Sequence, residues 1–535
     1  MPPEKTFETD VLVIGGGMAG FFAAIKAREQ GVDVLLVNKG YAGKSGQSPW
    51  ADSFAAFNPE WGHDLEGWVD QVNRVGEYVN NREWTELCFL ESYARYQDLV
   101  SWGVEFHRTG DGDLLRSTSS LGPCQALFTP PRAHGPVLRK EALKRGVRIM
   151  DRIMIVELIK DAGGAILGAA GSPVGGDDLL VFKAKATVLC AGAGAFKPPG
   201  WPIHDLTSDG DAMAYRAGAA ITGKEFVDPH MMSAENPGPR RRAWRPGPPP
   251  RPRIVNAEGD EVPGRGTLFI NLEFEVHAGR GPIAVTLPDG SLGEIVGGAS
   301  SGMSVHKAEG VWPADTACGA GVMGLYAAGD NLGTMQSGSV YATIGMSFMG
   351  ASVTGARAGI AAAAHAQETG PPAVSSDELG RVEQVMFAPM RRQGGFGPAW
   401  VTQQLQNAMI PYYVMYIKKR DRLEAALTLV EFMRDHLVPK LLARDPHELR
   451  LAHETKNMVL NAEMRLRASL LRTESRGCHY REDHPLRQDP DWLAWVLLQE
   501  RDGQMAAFKR PIPEAWWPDF SMPYEERYPA RFPGE

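Results

Sequence analysis

Cysteine is scarce in this chain. Five residues in 535, Cys88, Cys124, Cys190, Cys318 and Cys478, lie far apart, and none forms a C-x-x-C pair. That spacing argues against an iron–sulfur cluster, a thiolate zinc site or a redox disulfide built within the chain, and no metal ligand set is expected. Each cysteine reads instead as a small buried hydrophobe. Positive charge is also short: 56 Lys and Arg stand against 64 Asp and Glu, for a net charge of −8. No excess field offsets phosphate, so a nucleic-acid partner is not expected. Long apolar runs are missing as well. No stretch approaches the run of about 18 apolar residues that a membrane-spanning helix requires. The opening MPPEKTFETD runs directly into a strand pattern, so no signal peptide is expected and the expected location is cytoplasmic. What remains, 43 % hydrophobic and 22 % charged residues, is ordinary for a globular protein.

The informative part comes first. In TDVLVIGGGMAGFFAAIKAREQGVDVLLVNKG, Val11 to Ile14 is a continuous apolar run that suits a strand buried on both faces of a parallel sheet. Gly15, Gly17 and Gly20 follow as G-x-G-x-x-G. The first allows a tight turn, the second lets a pyrophosphate approach the backbone, and the third lets helix pack on strand. A helix from Met18 to Gln30 points its N-terminal amides at that diphosphate, and Val34 to Val37 is the second strand. The pattern is a complete βαβ unit for a dinucleotide. One departure stands out. The strand-2 end, where an acid usually takes the ribose hydroxyls, is Asn38, whose amide can still hydrogen-bond a hydroxyl.

Further motifs carry a family resemblance. GYAGKSGQSPWADSFAAFN (Gly40 to Asn58), ATVLCAGAGAF (Ala186 to Phe196), TSDGDAMAYRAGAAITGKEFVDPH (Thr207 to His230), GLYAAGD (Gly324 to Asp330) and ESRGCHYRED (Glu474 to Asp483) occur in order. They resemble the loop, turns and C-terminal signature of the succinate dehydrogenase/fumarate reductase flavoprotein superfamily. EVHAGRGPIAV (Glu275 to Val285) and SGSV (Ser337 to Val340) look most like its adenylylsulfate reductase α branch, whereas YATIGMSF (Tyr341 to Phe348) resembles flavin-dependent ketosteroid dehydrogenases. The resemblance implies FAD. It places FAD against Gly15, Gly17, Met18, Ala19 and Gly20, then Asn38 and Lys39. It continues with Gly46, Gln47, Ser48, Ala51 and Asp52, with Ile155, with Ala191 and Gly192, and with Asp209. Gly329 and Asp330, then Thr343 and Ile344, complete the set.

The implied fold is α/β: a Rossmann-like FAD-binding domain with an inserted capping domain and a helical C-terminal region. On the family's plan, residues 1–228 and 307–370 form the FAD-binding domain, 229–306 the cap, and 371–535 the helical region. Independently of the resemblance, VEQVMFAPM, LEAALTLVEFMRDHLVPKLLA and NMVLNAEMRLRASLLR carry apolar residues at three- and four-residue spacing, a helical pattern. NPGPRRRAWRPGPPPRPR (Asn236 to Arg253) reads as an irregular, arginine-rich loop in the cap, either a solvated excursion or a contact for an anion or an acidic partner.

The resemblance also shows what is missing. Where relatives carry the histidine of a covalent flavin link, counting back from Ala51 gives Gln47, so noncovalent FAD is expected. Where fumarate-type enzymes hold a dicarboxylate-clamping arginine, GTMQSGSVYATIG has none. A guanidinium is the natural bidentate partner for a carboxylate, so succinate and fumarate are not the expected substrates. His230, His306 and Arg280 fall at catalytic or substrate-facing family positions, while Tyr341, an outside candidate for an acid, reads as packing. The charge-dense TESRGCHYREDHP (Thr473 to Pro485) reads as a mutually paired structural brace. The expected activity is hydride exchange between flavin and a small organic substrate. The alternative is a flavoprotein subunit that works with a separate iron–sulfur electron-transfer partner. The resemblance implies that the helical C-terminal region takes part in assembly, so a homo-oligomer is expected.

Overall fold

The computed structural model describes residues 4–119, 121–198, 203–228, 232–233, 253–262, 268–286, 292–297 and 303–535. A seven-stranded sheet carries the glycine-rich opening. Its strands are β1 (Glu4–Ile14), β2 (Val34–Asn38), β3 (Arg148–Asp151), β4 (Ile153–Lys160), β5 (Ile166–Pro173), β6 (Leu179–Leu189) and β7 (Leu325–Ala327). The order β3-β2-β1-β6 is parallel throughout. The far edge of β6 is shared by parallel β7 and by antiparallel β5, which leads on to β4. Val11 to Ile14 and Val34 to Val37 are buried, as their unbroken apolar runs require.

Helix α1 (Met18–Glu29) leaves β1 through the glycine turn, and α2 (Met346–Glu368) packs along it. Both helices are rich in alanine and glycine for a physical reason. A Cβ on Gly355 would stand 2.4 Å from the Ala19 carbonyl oxygen, and one on Gly359 2.2 Å from that of Ala23. The two backbones therefore nearly touch, and α2 fixes how deeply α1 sits beside the sheet.

The chain leaves this body at Val227, which bridges to Ser304, while the Asp228 N–H donates to the Met303 carbonyl at 2.7 Å. Between these points lie an antiparallel sheet in the order Met232–Ser233, Leu292–Gly297, Ile283–Thr286, Arg253–Val255 and a helix, Leu268–His277. His277 Nδ1 lies 3.2 Å from the Tyr412 hydroxyl, so the cap leans on the C-terminal region.

That region contains the expected helices, including α3 (Pro446–Leu471), whose Asp445 cap accepts from the Glu448 N–H at 2.8 Å. It also contains a hairpin, Ala494–Arg501 with Gln504–Pro511, in place of uninterrupted helix. Asp502 and Gly503 turn it with φ of +52° and +75°, the left-handed pair that a two-residue hairpin turn requires. The hairpin extends Ile221–Thr222 and Gly310–Val311 into a four-stranded sheet. No helix among the described residues is long and apolar enough to cross a membrane.

Candidate functional site

A cavity of about 750 Å³ runs from the glycine turn to the point where the cap segment rejoins the body. At the near end the turn is built by close approach. Gly15 has φ of +113°, and a Cβ there would lie 2.1 Å from the Cys190 carbonyl oxygen. A Cβ on Gly20 would lie 1.8 Å from the Gly15 oxygen, so Gly20 packs beneath the turn and does not border the cavity. The N-terminus of α1 has no side-chain cap and no acid in its first turn. Such an end favours an anion, because its amides and dipole point outward. The Met18 N–H donates to Ser48 Oγ at 2.9 Å, which pins the loop to the helix.

Asn38 is explained by its partners. Its Oδ1 accepts from the Gly16 N–H at 2.8 Å and its Nδ2 donates to Ser45 Oγ at 3.0 Å. The Ser45 hydroxyl gives its own proton to the Tyr41 carbonyl at 2.9 Å, so its oxygen needs a donor that a carboxylate lacks. Lys39 reaches Asp209 at 2.7 Å and Glu454 at 2.9 Å. Burial alone would lower its pKa, but these carboxylates outweigh it and hold the ammonium charged.

Gly17, Met18, Ala19, Gly46, Gln47, Ser48, Ala51 and Asp52 border the same cavity. So do Ile155, Ala191, Gly192, Gly329 and Ile344; Thr343 is buried behind it. Gln47 Nε2 lies 2.9 Å from Met303 Sδ.

At the far end His306 sits between two carboxylates. Its Nε2 is 3.2 Å from Asp228 and its Nδ1 3.2 Å from Asp330, which also takes Lys307 at 3.0 Å. Burial would lower the imidazole pKa, yet Asp330 and Asp228 together raise it to about 9. The same cations hold the Asp330 carboxyl well below its ordinary value against burial. His306 is thus an imidazolium near neutral pH with both N–H groups engaged. Asp228 and Lys307 are not singled out by the sequence; the signal available is an acid two places before His230 in the Phe-Val motif. Tyr341, read as packing, borders the cavity and accepts the Ser347 N–H at 3.0 Å.

Other expected residues are not brought here. Arg280 does not border the cavity. Gly279, with φ of +81°, turns the chain back so that Glu275 takes the Arg280 guanidinium in two bonds of 2.6 and 2.8 Å. His230 and most of the arginine-rich loop lie outside the described residues. Among those described, no arginine borders the cavity. In the stretch expected to lack the clamping arginine, Ser337 donates to the His306 carbonyl at 3.0 Å and Ser339 to that of Gly76 at 2.9 Å. Gln336 Oε1 accepts from Cys88 Sγ at 2.9 Å.

The charge-dense C-terminal stretch is core. Glu474 lies between Arg472 at 2.8 Å and Arg476 at 2.7 Å; Arg476 continues to Asp489 at 2.7 Å, and Arg481 pairs with Asp483 at 2.8 Å. His479 is wedged between Lys418 Nζ at 3.0 Å and the Arg472 carbonyl at 3.2 Å. Burial and those cations keep it neutral. Only Cys478 of this stretch borders the cavity.

Comparison with known proteins agrees with this architecture. Residues 10–260 match the FAD binding domain family and residues 402–525 the fumarate reductase flavoprotein C-terminal family. The chain is 29 % identical to a fumarate reductase (CoM/CoB) subunit of Methanothermobacter marburgensis, over 93 % of this chain and 98 % of the relative. Adenylylsulfate reductase from Archaeoglobus fulgidus superposes with a TM-score of 0.80 at 21 % identity, covering 97 % and 98 % of the two chains. E. coli quinol fumarate reductase gives 0.81 at 17 %, covering 95 % and 97 %. Glycine turn, cap, helical region and both family matches together make this chain an FAD-dependent oxidoreductase of the succinate dehydrogenase/fumarate reductase flavoprotein superfamily.

Proposed function

We propose that the protein exchanges hydride between noncovalently held FAD and a small organic substrate other than succinate or fumarate, bound at the His306 end of the cavity. One observation carries this reading: a single cavity joins the uncapped N-terminus of α1 to the His306 cluster, and no arginine among the described residues borders it. When bound, FAD supplies the two-electron donor or acceptor. The α1 amides and Ser48 suit its diphosphate, and Gln47 offers no ring nitrogen for a covalent link. His306, with Asp228 and Asp330 on its two nitrogens, serves as a fixed positive charge rather than a proton carrier. A carboxylate 3.2 Å from each ring nitrogen favours the protonated ring.

A second reading follows from the Methanothermobacter relative, which by name is one subunit of its enzyme. All five cysteines are buried and unpaired, so electrons entering or leaving by way of an iron–sulfur centre would need another protein. One experiment addresses both. The purified protein is titrated anaerobically with candidate substrates, then acid-precipitated. Flavin in the supernatant and bleaching by an organic compound are expected. A yellow pellet would sink the noncovalent assignment. Reduction only by dithionite, with reoxidation by a compound, would favour the second reading; bleaching by succinate would overturn the substrate assignment.

A further inference from the structure

We infer that His134 is a positioning residue for the cofactor: its imidazole holds the Ser48 carbonyl from behind, so that the Ser48 hydroxyl is presented to the FAD diphosphate. The inference rests on the noncovalent reading of FAD above, which leaves retention of the cofactor to contacts of this kind.

The helix His134–Lys144 and the residue pair before it lie against the loop that closes over the glycine turn. The Arg132 guanidinium sits over the Trp50 ring at 4.3 Å. A Cβ on Gly135 would stand 1.9 Å from the Gly43 carbonyl oxygen, and Gly43 donates its N–H to the Gly16 carbonyl at 2.8 Å. Between these two contacts His134 Nε2 lies 2.9 Å from the Ser48 carbonyl oxygen. That oxygen also takes the Ala51 N–H at 3.0 Å, so His134 fills its second acceptor position.

The imidazole can serve that carbonyl in one form. The ring is buried and packs at 4.7 Å on Phe348, which borders the cavity. Burial lowers its pKa to about 4 although the Ser48 contact pulls upward, so near neutral pH it carries a single N–H. A carbonyl only accepts, so that proton is on Nε2. Nδ1 is then a bare acceptor, and it has no partner among the described residues. A buried nitrogen without a donor costs stability, and a phenyl ring would fill the same space without that cost. What the imidazole adds is the bond to Ser48. On the cavity side Ser48 Oγ accepts the Met18 N–H at 2.9 Å, and nothing among the described residues accepts its own proton. The amide behind it polarises that hydroxyl as a donor, beside the uncapped end of α1 that already favours an anion.

The test follows FAD release from purified holoprotein, read as flavin fluorescence regained on dilution. The amide nitrogen of glutamine stands where Nε2 does, whereas that of asparagine stops at Nδ1. His134→Phe and His134→Asn should each release FAD about fivefold faster, the effect of one hydrogen bond, and His134→Gln should stay near the wild type. Ser48→Ala should also speed release. Adding His134→Phe to it should change release little further, because His134 acts through that hydroxyl. His453→Phe is the structural control. His453 is also buried and neutral, with Nε2 2.8 Å from the Met386 carbonyl and no border on the cavity, so its loss should lower the melting temperature without speeding release. Unchanged release in both His134→Phe and His134→Asn, additive effects with Ser48→Ala, or equal acceleration in His453→Phe would each overturn the assignment. Acid precipitation comes first. A yellow pellet would end the noncovalent reading, and the visible circular dichroism of the bound flavin then replaces release: a change in His134→Phe but not in His453→Phe is expected, and identical spectra would overturn the role of His134.

Discussion

Asp228→Asn removes one of the two carboxylates that hold the proton on His306. The contact is 3.2 Å on the Nε2 side, and Asp330 remains at 3.2 Å on the other. An opposite charge this close typically raises a histidine by about one to three pH units. The imidazole, raised to about 9 in the native protein, should therefore titrate markedly nearer its ordinary 6.5 in the variant. The sign for stability follows from the raised folded value. Protonation stabilises the fold fully below pH 6.5, and that contribution disappears as pH rises through 9. The whole gap corresponds to about 3 kcal/mol, of which Asp228 supplies a share. Urea unfolding of both proteins at matched pH values measures that share. The variant should be less stable below pH 6.5, and the difference should shrink above pH 9. Ring nitrogen shifts of labelled histidine report the titration directly. An unchanged midpoint, or a stability difference that is flat with pH, would refute the reasoning.

Gly17→Val should yield colourless protein, because its Cβ would stand 2.9 Å from the Ser48 Oγ that holds the helix start; bound flavin in the purified variant would contradict this. Glu474→Gln removes the carboxylate shared by two fully buried arginines, leaving Arg472 with Glu225 and Arg476 with Asp489, and should cost about 3 kcal/mol, seen as a lower melting temperature with FAD content retained at low temperature. An unchanged melting temperature would mean that Glu225 and Asp489 suffice to hold the two guanidinium groups. Gln47→His should leave flavin extractable by acid, since a ring nitrogen alone does not complete a covalent link; a yellow pellet would say otherwise.

The parts legible in the sequence are those where neighbours along the chain are also neighbours in space. The strand, glycine turn and helix of residues 11–29 are local, and their apolar runs and glycines follow from backbone geometry alone. Asn38 resembles a weakened ribose ligand because Ser45 and Tyr41, which explain it, belong to the next loop. His306 can be placed at the site, but its charge state depends on Asp330, 24 residues on, and on Asp228 from the other end of the cap. Arg280 shows the opposite case: its partner Glu275 is only five residues away, a local ion pair that its place in the family pattern does not reveal. The C-terminal hairpin is written in the sequence as Asp502-Gly503 between two apolar runs, a short signal that the longer helical patterns before it obscure.

The hairpin and the buried ion pairs also impose a schedule on synthesis. Ile221 and Thr222 pair with Leu498 and Leu497, and Glu225 and Glu309 meet Arg472 and Arg465 in the finished core. At translation rates of about 5–20 residues per second, those early residues wait some tens of seconds for their partners. During that interval the strand edge is unpaired and the acids stay hydrated. The FAD-binding half is therefore completed only after the ribosome has made the last part of the chain. Premature termination after α3 would leave the glycine turn intact but strand an open sheet edge, a species for chaperones rather than a smaller flavoprotein.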